Sequence, residues 1–266
     1  MDAASSSPSP DPRGGLYSAP ILLGETPEDV CPYLGDQQSA LAFYKLILPA
    51  GSDLDAALER GMRRHGDLFY EPVCRACREC VPLRVPIESF LPSKSQRRLL
   101  RQSDGRFQVD VMTRCIRDEH VELFNRHAAM VSPTARTFTD EEYGEFLIRS
   151  DVDTRLVEYR IAPGAEHGDD PGNSNRQPGD LCGVSVLDVG SEAASSCYFL
   201  WDPDYHDWSL GTFSALWEIE WCRQHGHKHY YLGYWVQGCR SMTYKNRVRP
   251  HELLDWVTGQ WLPGSA

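Results

Sequence analysis

Three strand-like runs in succession, then a helix, then one more strand, set the tightest limit on how this chain can fold. Residues 155–162, 181–189 and 195–201 are apolar-rich and bounded by turn residues, so they read as antiparallel strands. A helix follows over residues 210–225, then a strand over 229–233, a basic segment, and a last strand over 253–258. Residues 164–180, between the first two strands, are dominated by Gly, Pro, Asp and Asn and read as a long mobile loop.

The first half is less regular. Apolar runs at 19–23 and 40–48 read as strands. A helix is expected over 54–64, opened by Ser52, with Asp53 and Asp55 in its first turn and Arg63 and Arg64 near its end, and stopped by Gly66. Strands at 67–70 and 81–87 flank a cysteine cluster. A basic helix at 93–102, a strand at 107–112 and amphipathic helices at 119–130 and 140–148 bring this half to its end near Ser150. The class is α+β. The organisation is a disordered tail over 1–15, a domain with the Cys cluster and basic helix over 16–150, and a second domain over 151–266.

No apolar run in the 266 residues approaches the ~20 needed to span a bilayer, and the N-terminus lacks the apolar core of a secretory signal. A soluble cytoplasmic protein without a membrane partner is therefore expected, and its nine Cys read as thiols or metal ligands rather than a disulfide framework. The net charge is -11, yet residues 60–106 hold eleven Lys and Arg against five Asp and Glu. Such a belt on an acidic protein can hold a nucleic acid.

Cys74, Cys77 and Cys80 stand at C-x2-C-x2-C spacing, which suits zinc or an iron–sulfur cluster. Arg84 occupies the ferredoxin position for a fourth ligand, so Cys31 is the distant candidate. Cys115, Cys182, Cys197 and Cys222 read as small core residues. Lys94, Arg97, Arg98 and Arg101 on the basic helix offer a row of phosphate contacts. The junction Ser209-Leu210-Gly211-Thr212 opens a helix, where backbone N–H groups can hold an oxyanion. The six His at 120, 127, 206, 225, 227 and 229 form no zincin or hydrolase pattern and read as structural or solvent-facing. Residues 230–250 run from a buried strand, through a break at Gly233 and several aromatics, into an acid-free basic segment.

The element order of the second half is similar to the GNAT acyltransferase fold. CoA-using members carry a Q/R-x-x-G-x-G/A turn at the helix start, and the lone Gly of 209–212 disfavours CoA. The motifs together resemble the aminoacyl-tRNA–protein transferases of the arginyl and leucyl branch, in the shorter bacterial aspartate/glutamate leucyltransferase form. The resemblance covers residues 31–261. It rests on Cys31-Pro32-Tyr33-Leu34, on Gly61-Met62-Arg63-Arg64-His65-Gly66 with Tyr70, on the Cys cluster with Pro82 and Arg84, and on 92–98. In the second half it rests on Asp202-Pro203-Asp204, 209–212, 231–235 and Cys239-Arg240-Ser241-Met242-Thr243-Tyr244-Lys245. The N-terminal tail and the 164–180 loop depart from the pattern.

The resemblance implies transfer of leucine from leucyl-tRNA to the N-terminal α-amine of proteins that begin with Asp or Glu, which marks them for degradation. The alternative is an arginyl-tRNA–protein arginyltransferase; an acyl-CoA N-acyltransferase and a non-catalytic RNA-binding module stand behind it. Neither a cofactor for the transfer nor DNA is expected. Such chemistry needs two reactants aligned, a proton removed and an oxyanion stabilised. Tyr234 and Tyr244 are the candidate catalytic hydroxyls, with Leu210, Gly211 and Thr212 as amide donors. Arg63 and Arg64, with Tyr70 beside them, are the candidates for the acidic acceptor, since a guanidinium grips a carboxylate bidentately. Lys245, Arg247 and Arg249 are expected to join the basic helix on the tRNA.

Overall fold

A computed structural model describes residues 20–46, 51–132, 135–165 and 176–264, with the backbone alone at 51–53. The expected tail and most of the mobile loop lie outside these residues. The first half runs β1 (Ile21–Glu25), β2 (Asp29–Val30), β3 (Gln38–Ser39), β4 (Leu41–Lys45), α1 (Gly51–Glu59), β5 (Arg63–His65), β6 (Leu68–Pro72), β7 (Val81–Pro86), α2 (Lys94–Ser103), β8 (Phe107–Thr113), α3 (Asp118–Val131) and α4 (Asp140–Tyr143). A π-helical turn, Gly144–Ile148, extends α4. The second half runs β9 (Asp153–Ile161), β10 (Leu181–Val189), β11 (Ala193–Trp201), α5 (Leu210–Gln224), β12 (His229–Trp235), β13 (Glu252–Asp255) and β14 (Gln260–Pro263).

α and β elements are thus mixed around one large sheet, ordered β14-β13-β7-β12-β11-β10-β9-β8, beside a small sheet ordered β1-β4-β6-β5. Strands from both sides of Ser150 share the large sheet, because β7 pairs with β12 and β13, and β8 with β9. Side chains alternate across a strand, and β9 shows what that achieves. Leu156 packs with Phe124 of α3 and Tyr143 of α4, while Val157 packs on the opposite face with Leu216 and Ile219 of α5. Covered on both sides, β10 is buried along nearly its whole length.

Several expectations shift in detail. α1 ends at Glu59, five residues before the expected last helical residue, Arg64. Gly61 takes φ +84°, its N–H bonds Leu58 O at 2.9 Å, and the Met62 N–H bonds Ala57 O at 3.0 Å. This pair of bonds is a Schellman cap, which Gly adopts without strain. Gly66 instead makes the β5–β6 turn, at φ +61°, and Ser52 lies inside the helix rather than ahead of it. β12 does not stop at Gly233 but bulges there, with the register against β7 slipping between Tyr231 and Gly233. A 3-10 turn, Pro203–Trp208, comes between β11 and α5. The last predicted strand is a hairpin, β13 and β14.

α2 follows its sequence closely. Ser93 caps it in a capping box: its Oγ accepts the Gln96 N–H at 3.3 Å, and Gln96 Oε1 accepts the Ser93 N–H at 2.8 Å. Gln96 Nε2 then donates to Arg247 O at 3.0 Å, tying α2 to the basic segment beyond β12. Gln96→Ala leaves the Ser93 cap in place but removes the reciprocal bond of the box and the tie together. It is expected to cost about 1 to 2 kcal/mol, read as a lower denaturant midpoint.

Candidate active-site cleft

The site arises where two parallel strands part. β11 and β12 pair only over Ala193–Ser195 against His229–Tyr231. Beyond that point β11 stays paired with β10 and β12 with β7, so the two strands diverge toward their C-terminal ends. The wedge between them opens into a cleft of about 540 Å³. Ser196, Cys197, Tyr198, Phe199 and Trp201 form one wall, and Leu232, Gly233 and Tyr234 the other. The start of α5, Ser209 to Thr212, closes one end, and Arg63, Tyr70, Tyr244 and Lys245 complete the lining with Tyr33, His127, Met130, Val131, His206, Ser241 and Met242.

Arg63 sits at the fork of the wedge. Its Nη1 donates to Ser195 Oγ at 2.6 Å, and its Nη2 donates to Ser196 O, the first β11 carbonyl past the paired stretch. It is 7% exposed, and among the described residues it has no ion-pair partner. Gly233 makes this placement possible. Its φ is +81°, and a Cβ there would lie 3.2 Å from the guanidinium carbon of Arg63. Gly233→Ala is therefore expected to push Arg63 off the fork and to cost about 1 to 3 kcal/mol, read as a lower denaturant midpoint.

The structure separates the two arginines. Arg64 points away from the cleft, with Nε on Asp188 Oδ2 at 2.7 Å and further bonds to the carbonyls of Gly66, Leu147 and Arg149. Both members of that ion pair are buried, at 1% and 2% side-chain exposure. Asp188 also accepts from Thr154 Oγ1 at 2.7 Å. Arg64 thereby bolts the small sheet to β10 and to the turn after α4, and its donors are taken up by the protein itself.

The tyrosines are held as neutral phenols. Tyr234 Oη donates to the carbonyls of Gly61 at 3.1 Å and Tyr70 at 3.3 Å, and burial holds its pKa well above the ordinary value. Burial, then the nearby Glu218, pushes Tyr244 up to about 12. Tyr70 packs edge-on against Tyr234. At the start of α5, Ser209 adopts a left-handed conformation and its carbonyl takes the Thr212 N–H at 2.9 Å. The amides of Leu210 and Gly211, in a first turn that lacks intrahelical partners, remain as donors on the cleft wall.

Lys245 lies in the cleft, half-buried, with Nζ donating to Tyr234 O at 2.8 Å. Arg247 is exposed, and Arg249 bonds Asn246 through its guanidinium. Lys94, Arg97, Arg98 and Arg101 are all exposed along α2. Among the described residues none of these six has a carboxylate within 4.0 Å, so the tie through Gln96 joins two unneutralised basic surfaces.

Cys77 and Cys80 border a small hollow with Cys74, and Cys31 Sγ and Cys77 Sγ accept backbone N–H groups from Leu34 at 3.4 Å and Glu79 at 3.5 Å. Burial, then the charges of Cys74, Cys31 and Cys77, push the Cys80 thiol up to about 12. Among the described residues, the group of three His, Cys, Asp or Glu with all ligand atoms within 4.8 Å is Glu119, His120 and Glu158. That group is neutralised internally, since Glu158 binds Arg117, His120 and Arg160, each at 2.8 Å.

Sequence reasoning missed Tyr33, His127, Met130, Val131 and the β11 wall. Cys31-Pro32-Tyr33 carried a signal in the sequence, but nothing local placed Tyr33 in the cleft. Cys197, read as a small core residue, lines the cleft.

Family models match both halves of the chain: "Arginine-tRNA-protein transferase, N terminus" over residues 29–98 and "Arginine-tRNA-protein transferase, C terminus" over residues 119–255. Aspartate/glutamate leucyltransferase of Stenotrophomonas maltophilia strain R551-3 is 36% identical over 244 residues, covering 88% of this chain and 90% of that protein. The protein of the same name from Pseudomonas fluorescens strain Pf-5 is 32% identical over 235 residues, covering 87% and 92%. Among solved structures, FemX aligns with a TM-score of 0.48 at 11% identity, covering 82% of each chain.

Proposed function

This chain belongs to the arginine-tRNA–protein transferase family and is an aminoacyltransferase, and on that premise we propose that it moves leucine from leucyl-tRNA onto the N-terminal α-amine of proteins that begin with Asp or Glu, marking them for degradation. A charged tRNA and a protein acceptor are its two substrates. One observation carries the choice of amino acids: a buried guanidinium, Arg63, stands in a cleft whose described lining contains no Asp or Glu. A buried charge is costly until it is paired, and the carboxylate of an acceptor Asp or Glu supplies the partner. An arginyl donor would bring another cation beside Arg63, with no Asp or Glu in the described lining to neutralise it. A leucyl side chain instead meets Met130, Val131, Phe199, Leu210 and Leu232.

The rest of the site fits this use. The Leu210 and Gly211 amides lie on the cleft wall, as donors for the oxyanion that forms when the α-amine attacks the ester carbonyl. The phenol of Tyr244 adds a neutral donor. Exposed cations of α2, with Arg247 and Arg249, form the phosphate-binding face. The second half is of the GNAT type in this reading, supported by antiparallel β9, β10 and β11, a crossover through α5 to parallel β12, and the wedge between β11 and β12. The division near residue 150 is then one of labour: residues 16–150 bring Arg63, α2 and the cysteines, and residues 151–266 bring the cleft walls. No helix among the described residues is long and apolar enough to cross a membrane, and action in the cytoplasm, where charged tRNA is made, agrees with that.

Cys31, Cys74, Cys77 and Cys80 would hold a soft cation, zinc or an iron–sulfur cluster. Two observations support this reading: the Cys80 pKa is raised first by burial and then by Cys74, Cys31 and Cys77, and N–H groups are aimed at the Cys31 and Cys77 sulfurs, although no three of the four sulfurs lie within 4.8 Å of one another. Its service would be to fix the loop between β6 and β7.

Purified protein given leucyl-tRNA and an Asp-starting peptide is expected to yield the peptide one leucine heavier by mass. No gain with either Asp- or Glu-starting peptides would rule this function out.

A further inference from the structure

The transfer requires a proton to leave the attacking amine, and the two tyrosines are poor acceptors for it. Both are held as neutral phenols, and Tyr234 commits its own proton to backbone carbonyls. Lys245 is placed differently. It opens a 3-10 turn, Lys245–Arg247, anchored by fully buried Val248, and this turn brings its amine back onto the β12 wall against Tyr234 O. The amine therefore stands beside the bulge at Gly233, which the Arg63 guanidinium packs against, rather than out on the basic surface with Arg247.

We propose that Lys245 is a catalytic residue, which takes the proton from the attacking α-amine and delivers it to the departing ribose oxygen. The proposal rests on the leucyl-transfer reading. The acceptor nitrogen forms a bond to the ester carbonyl carbon, and the carbonyl π pair moves to oxygen. One N–H proton passes to Lys245 Nζ. The oxyanion collapses, the carbon–oxygen bond to ribose breaks, and that oxygen takes the proton back from Lys245. A peptide bond and an uncharged tRNA result, and the lysine is neutral again.

The surroundings of the amine suit this cycle. Burial, then the Arg63 guanidinium, pushes its pKa down to about 7, so both protonation states are populated near neutrality. The charged and titratable groups around it are Arg63 from β5, Tyr234 from β12, neighbouring Tyr244, Cys239 from the preceding turn and Cys80 from the loop before β7. Cys239 and Cys80 act the other way, favouring the ammonium form, and are outweighed. The two cleft histidines are less well placed. The His127 ring bonds Trp201 O at 3.1 Å, and His206 is exposed with Nδ1 on Pro203 O at 3.3 Å.

The test is single-turnover transfer from leucyl-tRNA to a saturating Asp-starting peptide between about pH 5.5 and 8.5, for wild type, Lys245→Gln and Lys245→Arg. The acceptor amine, with a reference pKa of about 7.7 to 8.0, must also lose a proton. The wild-type rate should therefore rise by about two log units per pH unit below 7. Lys245→Gln keeps a donor to Tyr234 O but cannot titrate. It is expected to be slower by about 10² to 10⁴-fold, with a slope of about one, unchanged leucyl-tRNA affinity and an unchanged thermal midpoint. Lys245→Arg, always charged, should lose as much, and it decides the matter if the Gln variant fails to fold. A variant with the wild-type rate and slope, or one that loses only tRNA affinity, overturns the role of Lys245 alone. A wild-type protein that transfers no leucine overturns the reading beneath it as well.

Discussion

Replacing Arg63 by methionine is expected to lower kcat/KM for Asp- and Glu-starting peptides by roughly a hundredfold to a thousandfold, while leucyl-tRNA binds as before. Truncating one partner of a buried charge pair typically costs about 2 to 5 kcal/mol, and tenfold is about 1.4 kcal/mol. The selectivity matters more than the loss. Arg63 also holds Ser195 Oγ and Ser196 O at the fork, so some loss toward every acceptor is expected from a disturbed wedge. The guanidinium's particular share is the preference for Asp over Asn at the peptide N-terminus. That ratio should collapse toward one in Arg63→Met, and a variant that loses activity equally toward both peptides would remove Arg63 from acceptor recognition.

The neighbouring arginine should behave in the opposite way. Arg64→Met leaves Asp188 buried without its cation, and such a broken pair typically costs about 3 to 5 kcal/mol. The carbonyls of Gly66, Leu147 and Arg149 lose a donor at the same time. A lower midpoint in urea is therefore expected, with Asp-over-Asn preference intact in whatever protein remains folded. Arg64→Met combined with Asp188→Leu should recover a good part of the stability, because replacing both members of a buried pair by apolar residues can be close to neutral. A double variant as unstable as the sum of two single ones would show that the pair itself is not the main contribution.

The contrast between these two residues shows what the sequence could and could not convey. Read at the end of a helix, Arg63 and Arg64 look interchangeable. In a strand, successive side chains face opposite sides, so β5 sends one into the wedge and the next into the interface with β10. The difference turns on where α1 ends, and both Gly61 and Gly66 were available as stops; only the bonds from Gly61 and Met62 back to Leu58 and Ala57 decide it.

Elements with strong local patterns were legible. β10 and α2 lie within a residue of their expected ends, because a long apolar run and a capping box are both local signals. The insertion of β7 between β12 and β13 was not legible, since it joins residues about 150 positions apart and leaves no periodic trace. Lys245 was hidden for a related reason. In sequence it heads a basic run suited to phosphate, and only the bulge in β12 and the 3-10 turn fold its amine inward.

The central claim is that an acid-free cleft carrying a buried arginine selects an apolar donor and an acidic acceptor. It is tested most directly by competition. Equal amounts of leucyl-tRNA and arginyl-tRNA would be offered together with an Asp-starting peptide, and the products would be resolved by mass. The expected result is a product that carries leucine almost exclusively. A product carrying mainly arginine would contradict the claim.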